Sequence, residues 1–167
     1  YLIDGDIQSI LQNFHEQGVL NRTILFFLSG NGIGFGEFLK TDEGNMESRL
    51  PFLNIIYPKW FEQLYPRAVK NLKTNSKRLV TALDIHATMK DLLLPETIQD
   101  DSILQRSREL TKNEHSPSSQ SLFLEILPKR ICENARIDSH YCACHQVKSL
   151  KSLNFAEVRQ AARTAIV

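Results

Sequence analysis

"ILFFLSGNGIGFGEF", Ile24 to Phe38, is the stretch whose reading decides the fold. The apolar run Ile24–Leu28 stops at Ser29, and glycine then takes every second position at Gly30, Gly32, Gly34 and Gly36. Thr23 to Ser29 is β-branched, aromatic and apolar on both faces, which predicts a strand buried inside a sheet. Four of the chain's seven glycines in one corner demand either a sharp turn or the close approach of another group to the backbone.

Working outward, Asp4 to Gln17 sets Ile7, Ile10, Leu11 and Phe14 at helical spacing, with Gly18 placed for a left-handed C-terminal cap. Helix followed by buried strand points to an α/β layer architecture. Phe52 to Tyr57, between Pro51 and Pro58, repeats the buried-strand pattern. Tyr65-Pro66 introduces a lysine-rich helix reaching about Lys73, whose charges form a solvated face. Thr81 to Leu94 predicts a further helix, with Leu83, Ala87, Leu92 and Leu93 on a broad apolar face and Pro95 closing it. Asp84 stands near the positive end of its dipole. Glu96 to Gln120 is polar and irregular and reads as a long loop. Ser121 to Leu127 is a third candidate strand, and Asn154 to Val167 a short helix capped by Asn154. Trp60, Phe61 and Tyr65 read as core aromatics rather than an exposed platform.

With 167 residues and 42% hydrophobic content, the chain is sized for one packed core. It opens on Tyr1, from which a longer or processed polypeptide is expected. Twenty basic against 19 acidic residues leave a net charge of +1, and no long basic run supplies counterion-release drive for nucleic acid. The longest apolar run falls far short of the roughly 20 residues that span a bilayer, so a soluble piece is expected. Asn21-Arg22-Thr23 is a glycosylation sequon, a pattern common by chance in a chain rich in Asn, Ser and Thr.

The corner fails two phosphate-binding templates. In Gly-x-Gly-x-x-Gly, Phe35 or Glu37 falls on the last glycine, and no Gly-Lys-Ser/Thr triplet follows for a phosphate loop. Two readings remain: a structural turn without ligand, or a metal corner at the carboxyl end of a strand.

"LSGNGIGFGEF" resembles the Ser-Asp-His-Gly or Ser-Asp-Asn-Gly corner of the alkaline phosphatase and sulfatase superfamily. "RLPFLNIIYPKWF", "RLVTALDIHATMKDLL" and "SLFLEILPKRICENARIDSHYCACH" resemble, in that order, segments of an invertebrate branch of that superfamily, domain-of-unknown-function family two-two-nine. The resemblance runs from about Asp4 to His145. It implies a partial alkaline phosphatase-like sandwich over residues 1–145, a mixed sheet flanked by helices with a cysteine-containing tail, and an extra helical tail over 146–167. It also implies a divalent metal, calcium or zinc, in the family, at a corner that here reads Ser29, Gly30, Asn31 and Gly32, with Asn31 the candidate ligand. Gly30 stands where the family pattern has an aspartate, which leaves Asn31 as a neutral ligand. The family's nucleophile belongs to an earlier part of the fold. Two functions follow: a degenerate or truncated sulfatase-like hydrolase, inactive as this chain and with no metal bound, or an extracellular non-catalytic module for a glycan or protein partner.

Cys132, Cys142 and Cys144 fit either a local disulfide or, with His145, a zinc cluster. Cys142-x-Cys144 is tighter than usual zinc spacing, and the secreted location that the resemblance implies makes cysteine pairing the expectation. The third cysteine then stays free or pairs outside the chain. His86, beside Asp84, reads as a helix-packing or capping residue rather than a third metal ligand.

Overall fold

The computed structural model describes residues 3–32, 34–112 and 117–144. The fold is α/β, with six helices and one small sheet among the described residues. Helix α1 spans Asp4–Glu16 and ends as its sequence requires, with Gly18 at φ 69° in the left-handed region. Its apolar stripe is only partly covered: no residue of α1 is buried, and Ile10 is exposed.

Strands β1, Leu25–Leu28, and β2, Leu53–Ile56, pair antiparallel, with Leu25 opposite Ile56 and Leu28 opposite Leu53. Neither is buried on both faces, because the described sheet has only these two strands and each shows alternate or partial exposure. Between them α2, Asp42–Arg49, starts at Thr41, whose side chain accepts a hydrogen bond from the Gly44 amide.

Pro58 is the extended N-cap of α3, Lys59–Leu64, and Pro66 presets the first turn of α4, Pro66–Asn75. Phe61 on α3 is the hub of the core: its ring lies 5.0 Å from that of Tyr65 and 5.9 Å from that of Phe123. Around it pack Ala68, Val69, Ile98, Ile103 and Leu124. Of the aromatics expected in the core, Phe61 is buried, Tyr65 is half-buried against the cluster and Trp60 is exposed, its indole donating to the Asn21 carbonyl at 2.9 Å.

Two expectations are corrected here. Glu96–Gln120 is not a long loop, because Asp100–Lys112 forms helix α6 behind a short helical turn at Pro95–Ile98. Asp100 and Asp101 occupy its first turn and Lys112 its last, both favourable to the dipole, and Ile103 inserts into the core. Ser121–Leu127 is buried over most of its length but forms no strand. The predicted helix at Asn154–Val167, its cap Asn154, and His145 lie outside the described residues.

The reason Ser121–Leu127 forms no ladder is that helix side chains take its backbone bonds. Asn75 at the end of α4 donates to the Leu122 and Leu124 carbonyls at 2.9 and 2.8 Å and accepts from the Ile126 amide at 2.8 Å. Asn71, one turn earlier, donates to the Phe123 carbonyl at 2.7 Å. From helix α5, Ala82–Leu92, Thr88 accepts from the Leu122 amide and Asp84 from the Gln120 amide, each at 2.8 Å. Buried backbone groups must find partners, and here two polar helix faces supply them in place of neighbouring strands.

This corrects the expected inward face of α5 in part: Leu92 packs against the core and Ala87 is half-buried, but the fully buried positions are polar. Its buried residues are Asp84, Thr88 and Asp91, at i, i+4 and i+7, while Leu83 and Leu93 face water. Asp84 completes a capping box with Thr81 and forms a fully buried two-point pair with Arg130 at 2.8 and 3.1 Å. Arg130 also donates to the Leu79, Pro117 and Ser118 carbonyls, tying the chain on either side of the 120s segment to α5. Asp91 pairs in the same two-point manner with Arg106, which fastens α6 to α5.

Candidate functional site

The glycine corner continues directly from β1. Ser29 extends the strand pairing, its amide donating to the Phe52 carbonyl at 3.1 Å and its hydroxyl accepting from the Phe52 amide at 3.0 Å. Gly30 is exposed, its φ lies outside the left-handed region, and nothing stands within 4 Å of where a Cβ would be. Asn31 is exposed too, its amide donating to the Gly32 carbonyl at 3.2 Å.

Gly32 explains part of the glycine pattern. A Cβ there would stand 2.7 Å from the carbonyl carbon of Glu47 and 2.9 Å from the Cα of Ser48, so the end of α2 occupies the space. The Gly32 amide reaches the Ser48 carbonyl at 3.4 Å. Gly36, at φ 95°, supplies a turn before the short helical turn Glu37–Lys40. What the corner demonstrably holds is protein: the last turn of α2 and one left-handed bend.

As a cation site the corner offers little by itself. The Ser29 hydroxyl is engaged by backbone, Gly30 has no oxygen-bearing side chain, and Asn31 contributes one neutral amide. A hard divalent ion wants about six oxygen ligands, several of them charged. These residues alone do not fit calcium or zinc. His86 lies elsewhere, exposed on α5, and neither packs nor caps as expected. A cleft of about 360 Å³ between β2 and α4 is lined by Leu53, Asn54, Tyr57, Leu72 and Lys73 among others, with no carboxylate or histidine in its wall.

The strongest local chemistry is at the cysteines. Cys132 and Cys142 form a disulfide with Cα atoms 6.0 Å apart, and Cys144 is a free, exposed thiol. All three sulfurs lie within 4.8 Å of one another, the only such gathering of metal-capable side chains among the described residues. A bonded pair has no thiolate to give a metal, so with the bridge closed the cluster is not a zinc site. The bridge closes a loop over residues 132–142 that turns at Arg136, held at φ 54°, and the Ile137 amide returns to the Cys132 carbonyl at 2.9 Å.

A family model described as "Protein of unknown function (DUF229)" matches residues 2–167. The chain belongs to the DUF229 family. Comparisons with curated proteins and with solved structures yield no match. The family match takes in both the glycine corner and the cysteine segment of this DUF229 chain.

The residues that sequence reasoning missed are polar ones placed inside, Asn71, Asn75, Thr88 and Arg130, together with the burial of Asp84, which it placed only at the start of α5. Their signal was present as i, i+4 spacing of Asn71 with Asn75 and of Asp84 with Thr88. No helix of the described residues is long and apolar enough to cross a membrane.

Proposed function

We propose that this DUF229 chain is the non-catalytic portion of a degenerate sulfatase-like protein, inactive by itself and dependent on residues outside it for nucleophile and charged metal ligands. One observation carries this reading. At the end of β1, where the superfamily corner places a carboxylate, Gly30 leaves open space and the neighbouring Asn31 amide turns to the Gly32 carbonyl. A secretory location is part of the proposal and is supported by the Cys132–Cys142 bridge, which belongs to oxidising compartments.

The test is hydrolysis of aryl sulfates and aryl phosphates by the purified chain with added calcium or zinc. The expected result is no turnover above that of the metal alone. Turnover above that control, abolished by Asn31→Ala, overturns the proposal.

A second reading, an extracellular module that binds a glycan or protein partner, is favoured by exposed aromatics in and beside the same corner. Phe35 is 82% exposed, Phe38 44% and Phe52 47%, aromatic side chains open to a partner on the segments around the corner.

A further inference from the structure

We propose that Cys132, Cys142 and Cys144 form a disulfide-exchange site, in which the Cys144 thiolate takes over the bridge from Cys142. The geometry supplies both reactants. The Cys144 sulfur lies within 4.8 Å of both sulfurs of the Cys132–Cys142 bridge, close enough for attack after a small side-chain movement. Burial separates the roles: Cys142 is 3% exposed, whereas Cys144 opens to water, which solvates the attacking thiolate.

The attack falls on the Cys132 sulfur. A Cys142–Cys144 bridge would close over a single intervening residue, where the two Cα atoms of an extended chain stand up to about 7 Å apart, at the edge of what a disulfide spans. A Cys132–Cys144 bridge closes a loop only two residues longer than the present separation of 10, and loop-closure entropy grows slowly with length. The Cys144 thiol loses its proton to solvent, and the thiolate electron pair forms the new bond to the Cys132 sulfur. The Cys132–Cys142 bond breaks, its pair leaving on the Cys142 sulfur, which takes a proton from solvent. One disulfide and one thiol enter and leave the step, so no external oxidant or reductant is consumed.

The site therefore has two registers. In one, Cys142 is bonded and buried and the exposed thiol is Cys144. In the other, Cys144 is bonded and the residue free to react is Cys142. An external cysteine or small disulfide approaching the surface meets a sulfur already in exchange with the structural bridge.

Two measurements on the intact protein test this. In the first, protein equilibrated at neutral pH is quenched with acid, unfolded in denaturant, labelled with a thiol reagent that acts at low pH and digested, and the label is assigned to Cys142 or Cys144 by peptide fragmentation. The expected result is label divided between Cys144 and Cys142. Label confined to Cys144 overturns the exchange. In the second, Cys142→Ser is oxidised with glutathione disulfide. The expected product is a monomer with a Cys132–Cys144 bridge and no titratable thiol. Two free thiols, or disulfide-linked dimers instead of the intramolecular bridge, overturn the geometry on which the site rests.

Discussion

Asn75→Ala is the sharpest probe of how this fold is held together. Asn75 is 2% exposed and makes three hydrogen bonds to the backbone of the 120s segment, two donated and one accepted, all between 2.8 and 2.9 Å. Each such bond contributes about 1 kcal/mol net, and truncation also strands buried carbonyls with no water to replace the amide. The expected loss is about 3 kcal/mol or more, a large share of the 5–15 kcal/mol typical of a small domain. Asn75→Leu restores volume but not bonding and should recover less than half of it. Urea denaturation reads the loss, with an unchanged slope showing that the same surface unfolds. Hydrogen exchange localises it: the Ile126 amide, whose acceptor is Asn75 Oδ1, should lose protection, while the Asn54 amide, in the hydrogen-bonded position opposite Phe27, keeps its own. A loss below about 1 kcal/mol with Ile126 still protected would refute the view that side chains replace strand partners here.

Asp84→Ala should cost about 3–5 kcal/mol by urea denaturation, because it leaves Arg130, whose side chain is 1% exposed, as an unpaired buried charge. Asp84→Ala combined with Arg130→Met should cost less than Asp84→Ala alone, since the stranded charge is then gone. Gly32→Ala should lower thermal stability by about 1–3 kcal/mol, because the end of α2 occupies the space of its Cβ. Gly30→Ala should be near neutral in the same melting experiment, since its Cβ meets nothing within 4 Å and its φ carries no left-handed strain.

The DUF229 chain was legible in its sequence wherever apolar periodicity and local turn chemistry agree. Helix α1 and its glycine cap, the two strands, α4 opening on Pro66 and α5 opening on Thr81 all lie close to where spacing and caps place them. Helix α6 escaped because its 13 residues hold few apolar ones, and only Ile103 is buried. The corner was legible as glycine-demanding but not as to cause, because a backbone carbonyl arriving from α2 leaves no trace in residues 29–36. The pairing of Cys132 with Cys142 rather than Cys144 was equally invisible, since adjacent cysteines in Cys-x-Cys are chemically alike and only their burial separates them.

The sequence by itself determined the α/β class, the positions of most elements and the concentration of sulfur chemistry in one segment, because these rest on local propensity and short-range spacing. Tertiary structure alone decided which face of α5 turns inward and what becomes of Ser121–Leu127. A polar side chain and a stretch of apolar backbone are each poor candidates for burial when read separately, and become favourable only when folding brings the donor of one to the acceptor of the other. Asp84, Thr88 and Asn75 are separated from their backbone partners by 34 to 51 residues, a distance over which no local pattern carries information.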